Sequence, residues 1–462
     1  MIYDDIAERA MKLASSLGAR ETILRVHRTE YEILSFDGGH LKEHSFSISS
    51  GLAIEVYTEK GRGLAYTSSL DWRSVSEAVR SAIESTISSG QRSLAEAEPQ
   101  NIAYRSRVVE DPFEVDATEK ISLIKELNRE ALKIAGVVSA TTNLGIERDY
   151  VFVARPDGTK SWKEVVLIGI SHSAIAKSEG VAEKVKVRDS RSFEGGWEKA
   201  REFNWIEFVS EVTETAVRAS RAKMPPAGVY EAVVDNKLVG TVIHEALGHA
   251  AEGDLVVANA SVLTGRLGEK IASDHVSVID EGIVDGGYPV PFDEEGMAKR
   301  RIAIIEKGVL KSYLTSRSVA ASLGLVPTGN ARASGFRVPP IVRQANFYIA
   351  PGDYRLEELF EGLDGIYLRG VGGGGQVDPA TGTFTFNAGP SYLVKKGKIV
   401  ELVRGVLVSG RILDFLSKVK AIGRDLVIET SVFGGCGKDG QIVRVGLGGP
   451  HLRVEGVIVG GR

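Results

Sequence analysis

Cysteine is almost absent: Cys436 stands alone among 462 residues. An intramolecular disulfide is therefore excluded, and the scarcity fits a reducing cytoplasm. Also missing is any surplus of positive charge. The 57 Lys and Arg stand against 61 Asp and Glu, a net charge of −4, whereas a nucleic-acid binder is more often basic. No apolar run approaches the roughly eighteen residues of a membrane span. The opening MIYDDIAERAMKLASSLG is acidic and amphipathic, the pattern of neither a signal peptide nor a transit peptide.

The bulk composition, 43% hydrophobic and 26% charged, is that of an ordinary soluble protein. The length allows two or three domains with ample cores. Glycine, at 52 residues, is plentiful and gathers after residue 365. Turns, or close approach of main chain to a ligand, are expected there.

Periodicity predicts an α+β fold. An apolar stripe over 4–17, closed by Gly18, reads as a helix. Five short alternating segments follow (Thr22–Arg28, Tyr31–Phe36, Leu41–Ile48, Ala53–Tyr57, Gly63–Tyr66), with turns at 37–39 and 59–63, so an antiparallel meander is expected. Asp71 opens a helix whose stripe runs from Val75 to Ile87. Asp116 and Glu119 form a capping-box pattern at the head of another. Strands fit 137–145, 149–155 and 161–176, and a helix fits 205–222. Met224-Pro225-Pro226-Ala227-Gly228 is the clearest breaker run. We therefore expect an N-terminal α+β domain with an antiparallel sheet over 1–224. A β-rich domain over 225–462 would carry the next motif on a helix. His27, His40, His44 and His172 are scattered over strands and turns, and are expected to be exposed or satisfied.

That motif is HEALGHAAEGD, residues 244–254. Imidazole is the commonest metal ligand, and Glu245 beside it is a natural base for water. Leu238, Val239, Val242, Ile243, Ala246, Leu247 and Ala250 make a helical stripe, with Asp235 as N-cap and Gly253 able to end it. Ligands at i and i+4 share a face. His244 and His249 are at i and i+5, roughly 140° apart on a regular helix. Either the pair binds no metal, or the helix widens locally as a π-bulge, for which Gly248 is the place. Glu252 and Asp254 either orient an imidazole or solvate the helix end; the second is the expectation.

GVGGGGQVD at 370–378 lacks the Lys-Ser/Thr ending of a phosphate loop, and no helical stripe follows. It is a flexible turn or, with Gly373, Gly374, Gly375 and Gln376, a place where a substrate backbone comes close. Cys436 is flanked by Gly435 and Gly437, not by a packing pattern. A lone cysteine is most often a buried small hydrophobe, but two histidines and a thiolate would make a three-ligand zinc site with one position free.

In these segments the chain resembles the TldD/PmbA family of metalloproteases, also called modulators of DNA gyrase. HEALGHAAEGD, GEKIASDHVSVIDEG, FDEEGMAKRRIAIIEKGVLKSYL, TGNARASG, GGGGQVDPATGTFTFNAGPSYLVKKGKI and CGKDGQIVRVGLGGPHLRV follow in the family's order over most of 229–457. The first half matches only in pattern. The resemblance implies that the i, i+5 spacing is the family's own. It implies zinc held by His244, His249 and Cys436, with Glu245 as general base for metal-activated water. It further implies cytoplasmic hydrolysis of peptide bonds in unfolded or extended polypeptides, microcin precursors and antitoxins among them. It implies a dimer, either with itself or with a paralogous TldE/PmbA-type subunit that lacks the motif; this chain, keeping the motif, looks like the TldD type. Two other readings stand beside it. One is a hydrolase with Cys436 as nucleophile. The other is a non-catalytic partner subunit that binds unfolded peptide, stabilised by a four-ligand zinc with His275 or His451 as the fourth ligand.

Overall fold

The computed structural model describes residues 3–86, 93–178 and 183–461; Ile87, expected on the second helix, lies outside them. The first half runs α1 (Asp4–Ser16), β1 (Glu21–Asp37), β2 (His40–Thr58), β3 (Gly61–Thr67), α2 (Trp72–Glu84), β4 (Ala103–Arg105), α3 (Ala117–Lys133), β5 (Val137–Ala154), β6 (Lys160–Ala176), β7 (Val185–Glu194), α4 (Glu198–Glu202) and α5 (Trp205–Ser220). Its strands form one sheet in the order β3–β2–β1–β5–β6–β4, with β7 also on β6. Among the described residues of this sheet, the β4–β6 pairing alone is parallel.

Fewer and longer strands occur here than the sequence pattern suggests. β1, β2 and β5 run unbroken through the gaps between the expected segments. In β1 and β5 the gap holds charges that pair across the strands. Glu30 lies opposite Arg148 in register and accepts from it at 3.1 Å, while Arg28 reaches Glu30 from the side at 2.5 Å. Glu119 also departs from its expected role. Asp116 caps α3 through Thr118 N, but the Glu119 carboxylate turns to Trp197 Nε1 and Arg201. β7, whose alternate positions are charged, was not anticipated.

Among the described residues, no strand of this sheet shares a sheet with a strand beyond residue 224. The second half holds a nine-stranded and a six-stranded sheet. β8 (Gly228–Val234) lies within the larger one and leads directly into α6 (Asn236–Val242). Asp235 caps α6 by accepting from Leu238 N at 2.9 Å.

The apolar residues of α6 and the turn after it join one core cluster. Strand residues of the nine-stranded sheet (Val234, Ile366, Phe386) and of the six-stranded sheet (Val278, Phe347) belong to the same cluster. Leu238, Val239, Val242, Ile243, Ala246 and Leu247 are all at most 1% exposed. Each such large side chain contributes roughly 1.5–3 kcal/mol by leaving water, so the element is held by packing on several sides and not by its short helix alone. Gly240 permits the closest approach. A Cβ there would come within 2.5 Å of Gly448 N, on the six-stranded sheet.

The two halves are pinned together by arginines. Arg444 grips Glu147 with Nε at 2.9 Å and Nη2 at 2.5 Å, and Arg155 donates to Glu295 O at 3.1 Å. The Phe336 ring presses against Gly51 of β2, where a Cβ would stand 2.3 Å from it.

Candidate metal centre

Between Ile243 and Gly248 the chain makes a π-helical turn, and the amide of His249 donates to His244 O at 3.2 Å. One residue added to the turn brings i and i+5 toward the same side, and the two imidazoles stand 5.4 Å apart between ring centres at 82°. Gln344 supports the distortion. Its Nε2 donates to the same His244 carbonyl at 3.1 Å, and its side chain lies where Gly248 lacks one, since a Cβ at 248 would be 1.9 Å from Gln344 Oε1. Gly253 opens the next helix, Gly253–Val257, and does not close this one.

The third residue arrives from far along the chain. Cys436 begins a hairpin of Cys436–Lys438 paired with Gln441–Val443. Arg343, fully buried, fastens it by donating to Cys436 O and, at 3.3 Å, to Gln441 O. Cys436 Sγ lies 3.4 Å from His249 Nε2, and one ligand atom from each of His244, His249 and Cys436 falls within 4.8 Å of the others.

The donor set fits a metal ion. His244 is 1% exposed, yet neither ring nitrogen has a hydrogen-bond partner. Each unsatisfied buried polar group costs about 1–3 kcal/mol, and coordination would satisfy one nitrogen. Burial alone would raise the Cys436 thiol, but the adjacent His244 and His249 outweigh it and push it down to about 5. The thiolate, the form that binds metal, is therefore favoured.

Glu252 and Asp254 do not solvate the helix end. Glu252 is fully buried and takes the Nδ1 side of His249 at 3.0 Å, which leaves Nε2 turned toward Cys436. Lys438 Nζ lies 3.0 Å from Glu252, 2.6 Å from Asp254 and 3.1 Å from Val342 O. Neither Lys438 nor Gln344 was anticipated. For Lys438 a signal exists, because two residues along a strand from Cys436 is the same face.

Glu245 differs from the buried trio. Its side chain is 38% exposed and Oε2 lies 3.7 Å from His249 Nε2, so the carboxylate sits between the donors and solvent. Among the described residues no fourth His, Cys, Asp or Glu joins the group. His275 is exposed, and His451 is held by Asp425 at 2.5 Å and Tyr367 at 3.0 Å. Of the first-half histidines, His40 is exposed, while His27, His44 and His172 are bonded to Asp149, Glu32 and two threonines.

The glycine-rich stretch is an edge strand and not a loose turn. Among the described residues, Val371–Asp378 pairs only with Thr383–Ala388, through a bulge between Val371 and Gly375 that Asn387 pins by donating to Gly373 O at 2.9 Å. Gly373, Gly374, Gly375 and Gln376 are exposed along it, and the strand approaches the π-helical turn.

Comparison with known proteins agrees with this architecture over nearly the whole chain. Residues 24–87, 110–221 and 227–461 match domain 1, the central domain and the C-terminal domain of the PmbA/TldA metallopeptidases. A metalloprotease of Methanothermobacter thermautotrophicus is 37% identical over 92% of this chain and 91% of its own length. A zinc metalloprotease TldD homolog of Saccharolobus solfataricus is 35% identical over 56% of this chain and 58% of its own. A Thermotoga maritima protein, a proposed modulator of a DNA gyrase, shares the fold with a TM-score of 0.82 at 22% identity, over 99% of this chain and 100% of that one. With the three domain matches in order along one chain, the protein belongs to the PmbA/TldD metallopeptidase family.

Proposed function

We propose that the chain is a zinc-dependent peptidase that hydrolyses peptide bonds in unfolded or extended polypeptides. One observation carries the reading: His244, His249 and Cys436 converge in a buried trio while the Glu245 carboxylate stands beside them on the exposed side. Zinc held by the trio would polarise a carbonyl and lower the pKa of water. Glu245 takes the proton from the attacking water and delivers it to the leaving amine. Glu252 keeps His249 in the tautomer whose Nε2 is free to bind metal.

Extended substrates are supported by the edge of Val371–Asp378, which has one strand neighbour among the described residues. A peptide added there would bind through main-chain hydrogen bonds with little sequence preference. The S. solfataricus relative's name supports zinc in particular. The thiol-nucleophile reading is disfavoured because Cys436 is 2% exposed. The non-catalytic reading is disfavoured because neither His275 nor His451 joins the trio. The same proposal places the enzyme in the cytoplasm as a dimer, with itself or with a paralogue. The free edge of β2 between His40 and Gly51, where Phe46 and Ile48 are each 53% exposed, supports a partner.

The test is zinc analysis of purified protein beside hydrolysis of casein and of a stable folded domain, with and without chelator. Chelator-sensitive cleavage of casein alone is expected; chelator-insensitive cleavage, or none with zinc bound, overturns the reading.

A further inference from the structure

We infer that Lys438 is a positioning residue that draws Cys436 and, through Glu252, His249 into the geometry a metal requires. The inference rests on the zinc reading but assigns a role that the three donors do not themselves imply. His244 and His249 share one helical turn, so their separation is set locally. Cys436 lies 187 residues from His249, and nothing in its own hairpin determines how far it stands from that turn.

Lys438 supplies the distance. It sits on the face of the hairpin shared with Cys436, and its ammonium has contacts in two other segments. Glu252 and Asp254 follow the histidine turn, at 3.0 Å and 2.6 Å. Val342 O belongs to the strand preceding Arg343 and Gln344, at 3.1 Å. One cation thus ties the thiolate's hairpin to the segment bearing the imidazoles. The side chain is 9% exposed and Glu252 is not exposed at all, so water does not replace the contact.

The same ammonium also acts on Glu252. That carboxylate is fully buried, with Oε1 unpartnered and Oε2 shared between His249 Nδ1 and Lys438. With Lys438 fixing its Oε2, Glu252 faces His249 Nδ1 at 3.0 Å, which keeps Nε2 for the metal.

Cobalt(II) titration of the metal-stripped protein tests this. Thiolate-to-cobalt charge-transfer absorption reports whether Cys436 is a ligand. The unaltered chain should show it. Lys438→Gln should bind cobalt about 10- to 100-fold more weakly, the range for lost support around a ligand, with the charge-transfer band reduced. Lys438→Arg, which retains the cation, should restore much of both. Should Lys438→Gln not fold, Asp254→Asn weakens the same clamp and should shift affinity in the same direction. A Lys438→Gln protein that melts lower yet keeps full affinity and the full band overturns the inference, since Lys438 would then be merely structural. Absence of the band in the unaltered chain overturns the Cys436 assignment itself, so the two failures are distinguishable.

Discussion

Replacing Gly248 by alanine is the sharpest test of how the π-helical turn is held. The new methyl carbon would be placed 1.9 Å from Gln344 Oε1 and 2.3 Å from its Cδ, so the amide has to leave. Its departure removes one of the two donors to His244 O and strands a buried amide. Overpacking of this kind costs about 1–3 kcal/mol, and an unsatisfied buried polar group costs about 1–3 kcal/mol more. Gly248→Ala should therefore destabilise the chain by about 2–6 kcal/mol and weaken metal binding, both read from urea unfolding with and without zinc. The diagnostic measurement is the double variant. Gln344→Ala opens the space that the methyl needs, so Gly248→Ala/Gln344→Ala should be more stable than the sum of the single changes by well over the roughly 0.5 kcal/mol of independent sites. Additive losses, or a Gly248→Ala protein as stable as the unaltered chain, would show that Gln344 does not brace the turn.

Other expectations follow from the same geometry. His244→Ala, His249→Ala and Cys436→Ser should each lose zinc and activity together. Glu245→Gln should keep about one zinc per chain while turnover drops by about 100- to 10,000-fold; zinc loss in this variant would refute the base assignment. Gly374 has φ +76, so Gly374→Val should strain the edge strand by about 1–3 kcal/mol and lower kcat/KM for extended peptides at unchanged zinc content. His172 is buried between Thr142 and Thr213, and burial lowers its pKa to about 4. It stays neutral in the fold while the unfolded chain protonates near 6.5, so about 3 kcal/mol of stability, present above pH 6.5, is lost as pH falls toward 4. His172→Gln should flatten that slope, and an unchanged pH profile would show that the imidazole is not held neutral.

The parts of this site legible in the sequence were those governed by local geometry. Two histidines at i and i+5 converge only on a widened turn, and Gly248 was the residue able to accommodate one; the structure has the π-helical turn there. Cys436 drew notice by its flanking glycines and by resemblance, not by periodicity. What stayed hidden depended on partners distant in sequence. Glu30 and Arg148 read as breaks because each is polar, and only their cross-strand pairing makes an unbroken strand the better state. Glu252 read as a solvated helix end because nothing near it in sequence supplies Lys438. The glycine run read as a loop because an edge strand with a bulge leaves no alternating pattern.

The long separation between the donors has a consequence for the protein during its synthesis. At roughly 5–20 residues per second, the 187 residues between His249 and Cys436 take roughly 10–40 s to emerge after the histidines. Throughout that interval the nascent polypeptide presents two imidazoles and the Glu245 carboxylate but no thiolate and no Lys438. A chain interrupted anywhere short of Cys436 is left with an incomplete donor set. On the proposed zinc reading, a fragment that stops short of Cys436 would offer the metal two imidazoles only, and would lack the activity that depends on it.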